Sequence, residues 1–555
     1  MRLPSTVAAV AAGLPLALLP CALATALENA PPAATAAAAP VAAPPTEPVA
    51  PTEPDPATLP HFDIWEYRVL GNSALPGKTI EQAMYPLLGP GKTINDVEAA
   101  RKTLERSYRD AGFATVFVDI PEQQVESGVV RLKVTEGKVD RVRITGTRYF
   151  SNGAIRASLP ALQSGTVPNL PKLQAELAQL NAATGDRSVI PVLKAGRTPG
   201  TVDVNLKVQD SLPLHGSVDL NDRYTVNTTR LRLGAMVSYG NLFQLRHALT
   251  LQLQASPQKL SESRAIIASY VLPVPGLKNT SLALYAVDSK SDVAALGTIS
   301  VLGTGNVYGT RLVYAPLRTP KFGQTVTLGL DYKSFLENIR LKDNSSLKTP
   351  IHYLNWSAAY ALTRNRERST TVFDIAANFG IRGLINDSSE FDDKRFSGPP
   401  NYFYLRSNTQ YSRPLSEQLQ LYTRLALQWS TYALVSNEQL AIGGVDTVRG
   451  YTEATELGDY GADATVELRD AWLSKLLHLS PGAAYGFAFV DGGRVVLVDP
   501  LSGQTTEDLA GAGLGMRLNG WHGFSSELEW AVALRSAAAI ASGEQRAHFS
   551  FKWAF

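Results

Sequence analysis

Two short stretches of this 555-residue chain hold residue types that could do chemistry together. The first, Ala441-Ile-Gly-Gly-Val-Asp-Thr-Val-Arg-Gly-Tyr451, sets Arg449 among Gly443, Gly444 and Gly450. Glycines follow tight backbone turns that a β-branched residue cannot, and arginine offers a planar fork of five donors suited to clamping a carboxylate. The second, Phe489-Val-Asp-Gly-Gly493, supplies Asp491 on the polar side of an alternating segment. Inside a water-filled barrel such a pair is either a lock for an inward-folded loop or two independently solvated charges. Residue types alone favour the solvated pair, because charges are routine on interior barrel walls.

Other candidate chemistry is weaker. Glu390-Phe-Asp-Asp393 has the look of paired catalytic carboxylates or a calcium loop, but Lys394 and Arg395 follow directly and no Gly-spaced ligand pattern surrounds it. It reads as a solvated extracellular loop. Gly511-Ala-Gly-Leu-Gly515 reads as a Gly-rich strand beside the inward loop rather than a phosphate cradle, and Gly303-Thr-Gly305 lacks the third glycine of a dinucleotide loop. Neither a GxxxxGK(S/T) loop nor a Gly-x-Ser-x-Gly elbow occurs. His61, His215, His247, His352, His478, His522 and His548 stand apart, without HExxH or other ligand spacing. The single cysteine, Cys21, lies in an N-terminal apolar stretch; if that stretch is removed, a disulfide scaffold, a cysteine zinc site and a catalytic thiol are excluded together. No enzymatic activity, metal or cofactor is expected.

The elements that must position these residues emerge from the rest of the chain. Charged residues are 18%, below the about 25% of average globular usage. With 52 Lys+Arg against 50 Asp+Glu, no basic excess points to nucleic acid. Arg2 precedes an uncharged run from Leu3 to Leu27 with an apolar core, Val7–Leu19, and small residues at Ala22-Leu23-Ala24 or Ala24-Thr25-Ala26 for cleavage. Residues 1–26 are therefore read as a secretory signal peptide. Pro15 and Pro20 interrupt the alternative, a retained anchor helix, and Pro20 before Cys21 disfavours a lipoprotein. No later stretch reaches 18 uninterrupted apolar residues, so any membrane insertion falls to strands. Residues 27–61 form a Pro/Ala-rich linker, with ten Pro and ten Ala in 31–60. Such a segment spans up to roughly 90 Å as an extended spacer at ~3.1 Å per residue.

Folded sequence begins near Phe62 and repeats about 74 residues apart. Gly128-Val-Val-Arg-Leu-Lys-Val134 leads to Glu136, and Thr201-Val-Asp-Val-Asn-Leu-Lys-Val208 leads to Asp210, each an alternating strand after a Gly turn. A helix precedes each strand. In the first, Asn95 and Glu98 form a capping pair ahead of a Val97, Ala100, Leu104, Tyr108 stripe; in the second, Asn169 caps, Pro171 sits in the first turn, and Leu173, Leu177 and Leu180 form the stripe. Each module opens with a strand entering a Gly turn, at Tyr67–Gly71 and Val142–Gly146. Two strand–helix–helix–strand–strand modules follow, over 62–138 and 139–210.

In the remaining 345 residues helical periodicity almost vanishes. Leu249, Leu251 and Leu253 oppose Thr250, Gln252 and Gln254. Val326, Leu328, Leu330 and Tyr332 oppose Thr325, Thr327, Asp331 and Lys333; Leu419, Leu421, Leu425, Leu427 and Trp429 oppose Gln418, Gln420, Arg424 and Gln428. Long period-two segments with a polar second face suit lipid outside and water inside, and in lipid only a closed barrel satisfies the backbone. Sixteen strands would take about 22 residues each with connections, compatible with tilted strands of ~10–12 residues. The last segment puts Phe549, Phe551, Trp553 and Phe555 on one face, like the terminal strand that serves as an insertion signal in outer-membrane barrels.

Gly443-Gly444 with Val448-Arg449-Gly450-Tyr451, followed by Phe489-x-Asp491-x-Gly493, resembles the paired signature of the two-partner secretion outer-membrane transporters (TpsB type). This is the hemolysin secretion/activation family of the superfamily of barrel insertases and translocases. The tandem modules look like its polypeptide-transport-associated (POTRA) domains, and Pro121-Glu-Gln123 ahead of Gly128 is similar to the first module's Pro-x-Gln. The resemblance runs from about residue 62 to the C-terminus. Each motif alone is weak, but their order and spacing are specific and turn the balance toward the lock.

The resemblance implies a transmembrane β-barrel of about 16 antiparallel strands over 211–555, preceded by two small α+β POTRA domains in the periplasm of a Gram-negative bacterium. The loop around 437–460 would fold into the lumen and pair Arg449 with Asp491. The POTRA domains would capture an unfolded hemolysin- or adhesin-like exoprotein by its N-terminal secretion domain, through strand addition, and the barrel would export it without ATP (type V secretion). Further expected partners are outer-membrane lipid and, during biogenesis, the barrel assembly machinery. An outer-membrane protein assembly insertase and a passive porin are the alternatives. Such insertases usually carry more POTRA modules, and a porin has no use for two. Several members carry an N-terminal helix that plugs the pore; here only the four residues Leu27–Ala30 separate the cleavage site from the Pro/Ala tract, so gating is expected to rest on the inward loop.

Overall fold

The computed structural model describes residues 60–555 except 126, 227, 297–298, 317–318, 320, 341–345, 481 and 501–505. The expected signal peptide, Cys21, and all but the last two residues of the expected linker lie outside the described residues. The chain divides into two units at Pro213/Leu214.

The first unit repeats one plan. Glu66–Leu70 runs parallel to Val129–Glu136, which pairs antiparallel on its other side with Val116–Asp119. Lys138–Thr145, Thr201–Asp210 and Arg187–Ala195 reproduce that order and those directions. The helix Ile94–Asp110 buries Val97, Ala100, Leu104 and Tyr108 against Val116, Val130 and Leu132; Leu170–Ala182 buries Leu173, Leu177 and Leu180 against Val204 and Leu206. Each fully buried Leu or Val contributes about 1.5–3 kcal/mol, so each module carries its own core.

The first of these helices starts two residues earlier than its sequence suggests. Thr93, not Asn95, is the N-cap, and the Asp96 carboxylate accepts from the Thr93 N–H at 2.8 Å and hydroxyl at 2.9 Å. Those bonds, led by the one from the backbone, hold the Asp96 carboxyl below its ordinary range. Glu98 instead accepts from Arg101 at 2.9 Å. Asn169 caps the second helix by accepting from the Lys172 N–H at 3.1 Å.

The repeat itself has a structural cause. Gly71 and Gly146 adopt φ of +87° and +90°, and a side chain there would meet the carbonyl oxygens of Val134 and Val208 at 2.4 and 2.2 Å. Two residues beyond those carbonyls, each module places a carboxylate under the turn that follows the glycine. Glu136 accepts from the N–H groups of Ser73 and Ala74 at 2.7 Å, and Asp210 from those of Arg148, Tyr149 and Phe150 at 2.8–3.0 Å.

In the second unit, sixteen strands among the described residues close into a barrel in which every neighbour is antiparallel. It runs from Leu214–Asn221 round to Gln545–Ala554, and these two strands pair from Asn221–Ser550 to Ser217–Ala554. Leu249, Leu251, Leu253, Val326, Leu328, Leu425, Leu427 and Trp429 stand exposed on the outer face, while Gln254, Thr327, Asp331 and Gln428 are buried on the inner one. Apolar outside and polar inside inverts a soluble sandwich and is stable only against lipid.

The two rims differ. Connections after even-numbered strands include the short turns 243–246, 367–368, 415–418 and 522–523, on the rim that holds both barrel ends; those after odd-numbered strands include 380–402 and 431–459. Within 380–402 the acidic stretch corrects an expectation. It forms a short helix, Ser388–Lys394, that buries Phe391 with Tyr353 and Tyr402, and Glu390 accepts from the His352 N–H at 2.7 Å. The stretch is thus a short helix seated by one buried ring rather than an irregular loop, while Asp392 and Asp393 remain exposed to solvent. Arg395 donates to Asp459 at 3.2 Å and the Val498 carbonyl at 3.0 Å.

Candidate functional site

The connection 431–459 carries a small hairpin, Leu440–Ile442 with Glu456–Gly458, whose tip bears Arg449. Alternation fixes where its partners face. Val490 is 58% exposed on the outer wall and Asp491 1%, so Asp491 points into the lumen; the same contrast places Glu467 and Glu529 inside, between outward Val466 and Leu468 and outward Leu528 and Trp530.

Arg449 donates to Asp491 through Nε at 2.7 Å and Nη2 at 2.8 Å, a bidentate pair, and its backbone N–H reaches the same carboxylate at 3.1 Å. Nη1 donates to Glu467 at 2.8 Å and Glu529 at 3.2 Å. The guanidinium carbon lies 3.4 Å from the centroid of the Phe489 ring, a cation–π contact. Arg469 donates to Glu467 at 2.6 and 2.8 Å, and Arg517 bonds Glu527 and lies 3.6 Å from Glu529. Buried charges persist only when paired in this way, and removing one partner from such a network is costly.

The rest of the motif fits the tip to the wall. Gly443 and Gly444 turn the chain at positive φ, and the Gly444 N–H donates to the Val448 carbonyl at 3.2 Å. Val448 is buried over Gly493, where a side chain would meet it at 3.0 Å. Gly450, at φ +96°, passes so near Ala533 that a side chain would lie 2.9 Å from its nitrogen. Tyr451 is fully buried, and its hydroxyl lies 2.7 Å from the Arg535 carbonyl and 3.0 Å from that of Ala510.

Gly511, Gly513 and Gly515 have a role that composition alone did not reveal. They pair across from Asp491, Phe489 and Phe487, and side chains there would meet the Arg449 carbonyl at 2.0 Å and the two phenyl rings at 2.7 and 2.4 Å. Gly511 thus leaves room for the tip itself, and Gly513 and Gly515 for the two wall rings, of which Phe489 lies against the Arg449 guanidinium. Gly511→Val should therefore displace the tip, a clash of the order of 1–3 kcal/mol. Protease cleavage between Gly443 and Tyr451 in intact cells should appear in this variant, while heat-modifiable gel mobility stays normal.

Glu467, Glu529 and Arg469 were not singled out by their sequence, where they are inward-facing charges like any others. Nor was the bond from the loop to the neighbouring connection 222–231, Arg223 donating to Asp446 at 2.5 and 2.9 Å. The other motif residues lie elsewhere. Gln123 donates to the Arg131 carbonyl at 2.8 Å, accepts from its N–H at 2.7 Å, and reaches the Pro121 carbonyl at 3.2 Å, extending the ladder beyond Val116–Asp119. Gly128, at φ +72°, lies under Trp65, whose ring a side chain would meet at 2.4 Å. Phe551, Trp553 and Phe555 are exposed outside the barrel, in file with Phe549 along the closing strand.

Comparison with known proteins places these features. Residues 200–518 match the family model described as haemolysin secretion/activation protein ShlB/FhaC/HecB, and residues 62–137 match the ShlB-type POTRA domain. The outer membrane transporter CdiB of Dickeya dadantii is 23% identical over 79% of this chain and 76% of its own. The heme/hemopexin transporter protein HuxB of Haemophilus influenzae is 21% identical over 67% of this chain and 66% of its own. Among solved structures, CdiB from Escherichia coli superposes with a TM-score of 0.61 at 20% identity, covering 96% of this chain and 95% of that one. BamA from Haemophilus ducreyi lacking POTRA domains 1–3 has the same fold, with a TM-score of 0.55 at 14% identity over 89% of this chain and 100% of that one.

Proposed function

The chain belongs to the haemolysin secretion/activation protein family, and from that premise we propose that it captures an unfolded exoprotein in the periplasm and exports it through its barrel without ATP. It is an outer-membrane transporter of the two-partner secretion type, with its POTRA domains in the periplasm. The rim with the short turns and both barrel ends then faces the periplasm, and the rim with the long connections faces out. We divide the chain into a signal peptide (1–26), a linker (27–61), two POTRA domains (62–138 and 139–210) and the barrel (211–555).

The observation that carries the reading is the docking of the Arg449 tip against the inner wall, on three carboxylates and one ring. A long outer loop held inside the lumen through ionic bonds is a reversible lock: water and moving chain can replace each bond when it leaves. Capture is supported by two edge strands, Val116–Asp119 and Arg187–Ala195, which present exposed Phe117 and Ile190 for strand addition. Export is driven by folding of the cargo outside the cell, since no nucleotide loop occurs in the sequence. The chain catalyses no reaction; outer-membrane lipid surrounds it, and the barrel assembly machinery inserts it.

A deletion strain tests this against its parent by mass spectrometry of culture supernatant and outer membrane. Loss of one large surface or secreted protein, with other barrels unchanged, is the expected result. A broad fall in many barrels would make the chain an assembly insertase, and no change in either fraction would leave it a passive pore.

A further inference from the structure

We propose that Glu438 is a second wall anchor of the inward loop, a positioning residue that holds the loop's entry shoulder as Arg449 holds its tip. The proposal rests on the reading that this loop must leave the lumen for export.

Glu438 lies at the start of the connection, in the short turn Ser436–Glu438, and is 2% exposed. Three donors from three strands converge on it. Lys333 Nζ on Phe322–Arg340 and the Tyr353 hydroxyl on Ser346–Arg366 both reach Oε1 at 2.5 Å, and the Tyr404 hydroxyl on Phe403–Pro414 reaches Oε2 at 2.7 Å. The Glu438 carbonyl also accepts from Gln428 Nε2 at 3.0 Å. Register puts the donors on the inner face. Lys333 pairs across from Tyr353, on the side opposite outward Val326 and Leu328, and Tyr404 pairs across from Ser430, opposite outward Trp429.

This knot engages the seventh, eighth and tenth strands of the barrel, whereas the acids around Arg449 lie on the twelfth, thirteenth and fifteenth. The loop is thus tied to two sectors of the wall, and the hairpin strand Leu440–Ile442 lies between the ties in sequence. Tyr353 serves the knot twice, since its ring also packs 5.6 Å from Phe391 of the outer connection 380–402. Release of the Glu438 shoulder therefore loosens the seat of that helix as well. The Lys333 side chain is largely covered, at 16% exposure, with no replacement acid among the contacts described, so neutralising Glu438 leaves a charge that favours water entry.

The test is single-channel recording on the full-length chain in planar bilayers, comparing wild type, E438Q and R449A, with heat-modifiable mobility as the folding control. E438Q should raise resting open time at least about tenfold, in line with loss of charge-assisted bonds, with mobility unchanged. Resting conductance equal to wild type in E438Q, while R449A opens the pore, overturns the second anchor and leaves the lock reading standing. Silence in both variants overturns both. If E438Q does not assemble, Lys333→Met removes the ammonium while both tyrosine donors remain, and the same recording decides.

Discussion

Arg449→Ala should reduce export of the partner protein at least tenfold, or about 1.4 kcal/mol, while leaving the barrel folded. Three carboxylates lose their shared cation in this variant, and removing one member of a buried ionic cluster typically costs about 3–5 kcal/mol. That cost falls on the docking of the tip, so the loop loses the defined closed position from which cargo displaces it and instead stands unseated in the path of export. The closed ladder of strands does not depend on it, so gel mobility should still change on heating. Arg449→Lys should fail nearly as badly. An ammonium is a point charge that cannot chelate Asp491 through two nitrogens while a third reaches Glu467 and Glu529. Cargo in the supernatant, measured by immunoblot, is the readout; loss of heat-modifiable mobility along with export would make Arg449 a structural residue instead.

Deletion of residues 62–138 should lower export to background with the barrel still in the membrane. The second module keeps a core of its own, built on Leu173, Val204 and Leu206. What it loses is Val167's packing on the first core, the Lys138 pairing with Thr201, and two hydrogen bonds at 2.9 Å, from Asn169 Nδ2 to the Ala111 carbonyl and from the Leu170 N–H to that of Gly112. The two hydrogen bonds lie at a half-exposed helix start where water can replace them, and none of the lost contacts belongs to the buried cluster of the second module. Continued secretion by the truncated protein would refute the capture role.

Much of this was legible because it is written locally. Period-two alternation assigns Leu249 and Leu251 to one face by geometry alone, and the Gly71/Glu136 and Gly146/Asp210 pairs repeat because both modules solve the same close approach. Arg449 and Asp491 were visible through residue type and a family-like spacing. Glu467 and Glu529, 18 and 80 residues from Arg449, leave no local trace. Glu438 is equally silent, since its three donors sit 105, 85 and 34 residues away. In the stretch around Phe391 the charges are conspicuous and two of them, Asp392 and Asp393, are solvated, but the one ring that seats the helix leaves no such signal. Thr93-x-x-Asp96 and Asn95-x-x-Glu98 offer the same capping spacing two residues apart, and the sequence alone does not separate them.

The pairing of Leu214–Asn221 with Gln545–Ala554 sets the order in which this protein can come into being. Every other seam in the wall joins strands that are successive in the barrel and can zip as hairpins as soon as they emerge. This one joins Asn221 to Ser550, across nearly the whole barrel sequence. Until Gln545–Ala554 has been synthesised, the growing sheet has two bare borders, each a template for pairing with another chain. The last strand made is therefore the one that removes both borders at once.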